Sequence, residues 1–394
     1  MMDRWGYFNP VRIVCAPGAC LRLGEHVGFE RMLLVTSPGF RSRGLVDRIG
    51  EALGARLAGV VDDVKPNPDV LDIDRQAHAV RDLAPDAIVG LGGGSSIDTA
   101  KGLARLLSQP SDSTLAAHFR DGIALAQVPA LPVVAIPTTA GTGAEVTPFG
   151  TVWDFERAKK YSVAGDDLYP AAAILDPELT LGLPLEVTIS SGLDAISHAF
   201  ESTWNHNATP VTLGLATKSL QLSIPALPRL KEDPGDIQAR RAMMEASLLA
   251  GLAISQTRTA LAHSISYPLT ARFDVPHGVA CSFTLPALLK FNAEVDDGRL
   301  LDLSRAVGVQ DSQNLAEEVS GLLRLMDVSS MLRNHVPEPR DILSLVGEMF
   351  TPERADNNLR GATADDIRSL INSAVDDVEK GYRIPQNATT IGFS

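Results

Sequence analysis

The sequence predicts two domains of different construction, an α/β domain over residues 1–184 and an all-helical domain over residues 185–394. Three observations predict this. In the first half, short continuous apolar runs alternate with stretches of helical periodicity, the pattern of a parallel sheet covered on both faces. A triple-glycine segment joins one of those runs directly to a helix start. Beyond about Leu185 helical periodicity takes over, and no later run reads convincingly as a strand.

The strand candidates are Arg31-Met-Leu-Leu-Val-Thr36, Asp86-Ala-Ile-Val-Gly90, Val133-Val-Ala-Ile136 and Ala172-Ala-Ile-Leu175, each ending near Gly, Pro, Ser or Asp. Helical patterns from Gly44 to Leu57 and from Ile97 to Leu107 lie between them, so the order implies βαβ units with right-handed crossovers. Gly182-Leu-Pro184 follows the last strand signal and marks the boundary. Past it come helices expected over Ile189 to Trp204, Pro210 to Ile224, Gln238 to Ile254 and Leu315 to Leu325, separated by Pro-rich breaks.

Composition narrows the function classes. A formal net charge of -13 over 394 residues repels a nucleic-acid backbone across most of the surface. It leaves room for a small anion, because a few cations can dominate one pocket. Cys15, Cys20 and Cys281 are too few and too irregular for a disulfide framework or a cysteine metal site, and read as ordinary reduced thiols. The N-terminal MMDRWGYFNPVRIV has no apolar core long enough for a signal peptide, and no window approaches a membrane span. The expectation is a cytoplasmic protein.

Two segments carry cofactor chemistry. Ile88-Val-Gly-Leu-Gly-Gly-Gly-Ser-Ser-Ile-Asp98 reads as strand, glycine turn and helix start. Glycines let a backbone approach a pyrophosphate closely, and the first N–H groups of a helix bind anions. Gly92, Gly93, Gly94 and Ser95 form the expected cradle, with Asp98 in the first helical turn, although the spacing is not G-x-G-x-x-G. Ile136-Pro-Thr-Thr-Ala-Gly-Thr-Gly-Ala-Glu-Val-Thr147 follows another buried strand. Its hydroxyls and glycines suit the second wall of a dinucleotide groove.

Ser191-Gly-Leu-Asp-Ala-Ile-Ser-His198 sets Asp194 and His198 on one helix face. His263 and His277 lie further on, in Ala262-His-Ser-Ile-Ser-Tyr-Pro268 and Asp274-Val-Pro-His-Gly278. One carboxylate and three imidazoles suit a divalent first-row ion such as Fe²⁺ or Zn²⁺ and leave a position for a substrate oxygen.

Taken in order, Gly92-Gly-Gly-Ser-Ser-Ile-Asp-Thr-Ala-Lys101, Pro137-Thr-Thr-Ala-Gly-Thr-Gly-Ala-Glu145, Gly192-Leu-Asp-Ala-Ile-Ser-His198 and Asp274-Val-Pro-His-Gly278 resemble the iron-containing, or group III, alcohol dehydrogenases along nearly the whole chain. The resemblance implies the dehydroquinate-synthase-like fold, hydride transfer between NAD(P)H and a small aldehyde or alcohol, and a homodimer or larger assembly. It implies Asp194, His198, His263 and His277 as metal ligands. Thr138, Thr139, Thr142 and Thr147 become cofactor contacts, with Lys160 and Leu179 on the ribose and adenine side. NAD-selective relatives often carry Asp where this chain has Ser37; Ser37 removes its repulsion of a 2′-phosphate, and Arg41 or Arg43 can pair with that group. NADP(H) is therefore favoured over NAD(H).

The chain departs from the family pattern near His263. Tyr267 stands where relatives carry a second histidine, and a phenol titrates far higher than an imidazole. Arg258 replaces a glycine; a guanidinium there suits an anionic substrate, with Arg272 and Lys218 as weaker candidates. Arg258-Thr-Ala-Leu-Ala-His-Ser-Ile-Ser-Tyr-Pro-Leu-Thr270 resembles the phosphonoacetaldehyde reductase branch, which makes 2-hydroxyethylphosphonate in phosphonate antibiotic biosynthesis. Three other readings stay open: a dehydrogenase for an uncharged short alcohol or a maleylacetate-like acid, a lyase or cyclase of the dehydroquinate-synthase type, and a metal-binding or scaffold protein that keeps the fold without turnover.

Overall fold

The computed structural model describes residues 4–157 and 159–383. The chain forms two compact units: one is Phe8–Leu183, and the other runs from Pro184 onward together with the N-terminal residues ending at Tyr7. In the second unit Tyr7 Oη donates to the Leu252 carbonyl at 3.4 Å.

The first unit holds a six-stranded parallel sheet and one hairpin. In chain order the strands are β1 (Arg12–Cys15), β2 (Met32–Thr36), β3 (Leu57–Val61), β4 (Ala87–Gly92), β5 (Val133–Pro137), β6 (Phe149–Asp154), β7 (Lys159–Ala164) and β8 (Ala172–Leu175). The sheet order is β1-β8-β5-β4-β2-β3, and β6 pairs antiparallel with β7. Successive residues of β2 serve opposite faces. Leu33 and Val35 join one apolar cluster with Ile73 and Leu103, while Met32 and Leu34 join another with Ile49 and Ile174. Burial on both faces is why β2, β4, β5 and β8 read as uninterrupted apolar runs. β1 is a largely exposed edge strand, and β3 and β6 are only partly buried, so none of them gives that signal. The helical pattern from Gly44 contracts to Leu45–Leu53, because Leu57 already belongs to β3.

The chain passes from β2 outward to β3 and then returns to the other flank of β2 as β4. Strand order reverses at that point, so the turns after β2 and β4 flank the crevice in which open parallel sheets bind ligands.

The second unit is helical and contains no named strand among the described residues. Its main elements include Leu185–Thr203, Pro210–Glu232, Ile237–Thr257, Leu261–Phe273 and His277–Ser282. The Pro210 helix runs past Ile224 through Pro225 and Pro228. Ala226, Leu227 and Leu230 are buried on that extension, and their packing offsets the lost proline hydrogen bonds. No described helix is long and apolar enough to cross a membrane.

Candidate functional site

In the α/β unit, β4 runs through Gly92 and a helix starts at Gly94. Gly92 has φ +147, which a side chain would strain, and a Cβ there would lie 2.4 Å from Ser96 Oγ. The neighbouring glycines hold the second polar loop close. A Cβ on Gly94 would sit 2.9 Å from Thr142 Cγ2, one on Gly93 3.3 Å from Thr139 Oγ1, and the Thr138 N–H donates to the Gly92 carbonyl at 3.0 Å. The structure thus brings Gly92, Gly93, Gly94, Thr138, Thr139 and Thr142 together. Ser95 does not cap the helix; its Oγ accepts from the Asn67 N–H at 3.1 Å.

Two members of the expected cofactor set have structural partners. Thr147 is buried, with its hydroxyl 3.2 Å from Lys101 Nζ, which also donates to the Ala144, Thr147 and Phe149 carbonyls at 2.7–2.8 Å. The fully buried Lys101 therefore fastens the second loop to the helix that follows the first. Asp98 lies beyond the first helical turn rather than in it, and faces Gly150 of β6. Burial raises the Asp98 carboxyl to about 6 and Glu145 to about 7, and lowers Lys101 to about 8. Lys160 lies on the hairpin with its ammonium 5.5 Å from the Trp153 ring centre, and its charge acts on Asp98. Leu179 packs with Phe40 against the cluster beneath β2.

Ser37 stands at the end of β2, at the strand-order reversal. Arg41 forms an ion pair with Asp62, the residue after β3, and the Arg43 guanidinium lies 4.6 Å from the Phe40 ring centre. The expectation that Arg41 awaits a 2′-phosphate therefore meets a competing carboxylate that the sequence did not single out.

In the helical unit, Asp194 and His198 project from the Leu185–Thr203 helix, His263 from Leu261–Phe273, and His277 from the start of His277–Ser282. The Nε2 atoms of His263, His198 and His277 lie 3.4, 3.7 and 3.9 Å from Asp194 Oδ1. Asp194 and His263 are 4% and 3% exposed, whereas the His277 side chain is 37% exposed, so the cluster is closed on one side and open on the other. Burial opposes ionisation of Asp194, yet the imidazoles of His198, His263 and His277 hold its carboxyl well below the usual range. Glu201 is buried one helical step further; its Oε2 lies 2.6 Å from His263 Nδ1. Burial also opposes the Glu201 charge, and His263 outweighs it, so this carboxyl too stays low. The pairing puts a proton on Nδ1 and makes Nε2, on the side of Asp194, the ring nitrogen a cation can use.

A divalent cation fits this arrangement. Asp194 Oδ1 and His263 Nε2 are buried without a hydrogen-bond partner among the described residues. Buried polar atoms are normally paired, and one cation between these two satisfies both. Cys281, read from sequence as an ordinary thiol, belongs to the same group: ligand atoms of Asp194, His263, His277 and Cys281 all lie within 4.8 Å of one another.

Tyr267 lies on the open side, its ring parallel to that of His277 at 6.3 Å. Arg258 is exposed and ends the Ile237–Thr257 helix with φ +64, a left-handed conformation natural to the glycine it replaces. Arg272 is exposed and paired with Glu348 at 3.1 Å, and Lys218 is exposed on the Pro210–Glu232 helix; the structure gives neither an anion-binding role. Sequence reasoning missed Glu201, Cys281 and Arg354, whose guanidinium carbon lies 5.1 Å from the Tyr267 ring centre. Glu201 carried a usable signal, since it continues the Asp194, His198 face by three residues.

The model of the iron-containing alcohol dehydrogenases matches residues 10–177, and the C-terminal model of the same family matches residues 188–375. The chain is 38% identical over 277 residues to a phosphonoacetaldehyde reductase of Streptomyces viridochromogenes, covering 69% of each protein. The chain belongs to the iron-containing alcohol dehydrogenase family. A 4-hydroxybutyrate dehydrogenase of Cupriavidus necator is 34% identical over 318 residues, 78% of this chain and 83% of that protein. Among solved structures, sulfoacetaldehyde reductase from Bifidobacterium kashiwanohense in complex with NAD+ superposes with a TM-score of 0.88 at 31% identity, over 95% of this chain and 99% of that one. As an iron-containing alcohol dehydrogenase the chain is an oxidoreductase, and the lyase or cyclase reading falls away.

Proposed function

We propose that this enzyme reduces phosphonoacetaldehyde to 2-hydroxyethylphosphonate at the expense of NAD(P)H and one proton. The observation that carries the chemistry is the pair of buried ligand atoms, Asp194 Oδ1 and His263 Nε2, neither with a hydrogen bond among the described residues, with His198 and His277 around them. In this reading Asp194, His198, His263 and His277 hold Fe²⁺, or Zn²⁺ in its place, and the bound ion would lend Lewis acidity to the carbonyl oxygen. The chain's own groups do the rest. Asp194, His198 and His263 keep water from the closed side, and Glu201 holds the His263 ring in the coordinating tautomer. The Tyr267 hydroxyl orients the substrate on the open side, where solvent delivers the proton.

The substrate class rests on chemistry shared with relatives. The compounds named in phosphonoacetaldehyde reductase, 4-hydroxybutyrate dehydrogenase and sulfoacetaldehyde reductase carry a phosphonate, a carboxylate and a sulfonate. Arg258, absent from the usual family pattern, is the proposed partner of such a group. Gly92, Gly93, Gly94 and Ser95 cradle the pyrophosphate, and Thr139 and Thr142 face the same groove from the second loop. NADP(H) is accepted because Ser37 offers no repulsion to a 2′-phosphate. Asp62 favours a second reading on this point, since a carboxylate already holding Arg41 suits the ribose hydroxyls of NAD(H). A homodimer in the cytoplasm completes the proposal.

The test is an aldehyde panel with NADPH and with NADH after Fe²⁺ loading, following nicotinamide absorbance and the phosphorus resonance of the product. Phosphonoacetaldehyde should give the highest kcat/KM. A clear preference for propionaldehyde would overturn the substrate, and turnover without NAD(P)H consumption would overturn the reaction.

A further inference from the structure

We infer that Arg354 forms the anion subsite of this enzyme, binding the charged end of an aldehyde whose carbonyl lies at the Asp194, His263, His277 cluster. The inference rests on the anionic-substrate reading above and adds a residue to which that reading gives no role.

Three observations place Arg354 there. Its guanidinium carbon lies 5.1 Å from the Tyr267 ring centre, and the Tyr267 ring lies parallel to His277 at 6.3 Å, so one aromatic ring separates this cation from the open edge of the cluster. Arg354, Tyr267 and His277 are all partly exposed, whereas Asp194, His198 and His263 are buried; a ligand arriving from solvent meets the first three. The segment around Arg354 is anchored to the helix that carries His263. Ser264 Oγ donates to the Met349 carbonyl at 2.6 Å and accepts from the Thr351 N–H at 2.9 Å, while Asn357 Nδ2 donates to the Thr259 carbonyl at 2.9 Å. The guanidinium is thereby held, with Nη1 donating to Thr259 Oγ1.

The charge of Arg354 is unspent. Arg41, Arg75, Arg105, Arg120, Arg229, Arg272 and Arg299 each face a carboxylate, but among the described residues no carboxylate pairs with Arg354. A guanidinium has five N–H donors in a planar fork, and here a hydroxyl and a ring face occupy only part of it. The remaining edge matches two oxygens of a phosphonate, sulfonate or carboxylate. An aldehyde ending in a phosphonate, sulfonate or carboxylate is the substrate class such a cation beside the cluster suits.

The experiment uses the metal-loaded full chain with Arg354→Met, Arg354→Lys and Arg258→Ala, assayed on phosphonoacetaldehyde and propionaldehyde, with methylphosphonate as competing anion. For Arg354→Met the ratio of kcat/KM on phosphonoacetaldehyde to that on propionaldehyde should fall on the order of 10- to 100-fold, the size expected for a charged hydrogen-bonded pair, with the loss in KM. Methylphosphonate inhibition should weaken in step, and Arg354→Lys should recover part of both. A proportional fall on both aldehydes in Arg354→Met and Arg354→Lys, with methylphosphonate inhibition unchanged, would make Arg354 merely structural and overturn the inference. Loss of the ratio in Arg258→Ala but not in Arg354→Met would also overturn it, while leaving the anionic substrate standing. If the unaltered enzyme neither prefers phosphonoacetaldehyde nor responds to methylphosphonate, the substrate reading itself falls.

Discussion

Gly278 packs against Ser190 so closely that a Cβ on the glycine would lie 1.7 Å from the Ser190 carbonyl oxygen and 2.9 Å from the Asp194 amide nitrogen. Both obstacles are backbone atoms of one helix and cannot swing aside. The missing side chain is what lets His277, the preceding residue, come within 3.9 Å of Asp194. Gly278→Ala should therefore cost at least about 3 kcal/mol, the upper end for an overpacked core, and depress metal content more than a distant mutation of equal cost. Thermal unfolding together with elemental analysis of the purified variant checks both; a variant that keeps its Tm and its metal would show that the two helices separate freely.

Glu201 acts on the centre through His263. Outer carboxylates of this kind orient a ligand ring and raise its basicity, and their loss typically costs 10- to 100-fold in metal affinity or activity. Glu201→Gln can present Oε1 to Nδ1 but supplies no charge. Competition with a chromophoric chelator should show weaker metal binding by roughly that factor. Unchanged affinity would mean that Asp194 and the three histidines suffice.

Glu145 gives a signed pH effect. Its folded-state value, about 7, lies above the ordinary 4.5, so between those limits the folded chain holds more protons than the unfolded one and this residue's contribution to stability falls as pH rises. Glu145→Gln removes that loss. The difference in unfolding free energy, variant minus native, should grow by about 3 kcal/mol from pH 4.5 to 8. Denaturant titrations across that range test it; a flat difference would indicate that Lys101 keeps Glu145 ionised throughout.

If the Arg41–Asp62 pair meets the adenosine ribose as proposed, its two ends should shift cofactor preference in opposite directions. Asp62→Ala removes a carboxylate and releases Arg41, so the ratio of kcat/KM for NADPH to that for NADH should rise roughly two- to fivefold, as expected for one exposed charged contact. Arg41→Ala should lower the same ratio. If neither substitution moves it, the adenosine ribose is read elsewhere.

Much of this molecule was legible in one dimension. Strands buried on both faces betray themselves as uninterrupted apolar runs, and β2, β4, β5 and β8 were found that way. The glycine turn and the Asp194, His198 spacing were equally plain, because both follow from local backbone geometry. Edge strands β1 and β3 and the hairpin were not, since pairing rather than burial defines them.

The sequence by itself determined the alternation that makes the parallel sheet, the helical half, and which residue types can hold a cation. The tertiary structure alone decided that Cys281 and Glu201 join His263, that Asp62 claims Arg41, and that Arg354 comes to lie over Tyr267. The physical reason is separation along the chain. Arg354 and Tyr267 are brought together by helix packing and by bonds from Ser264, Thr259 and Asn357, and no periodicity in the intervening residues encodes that contact.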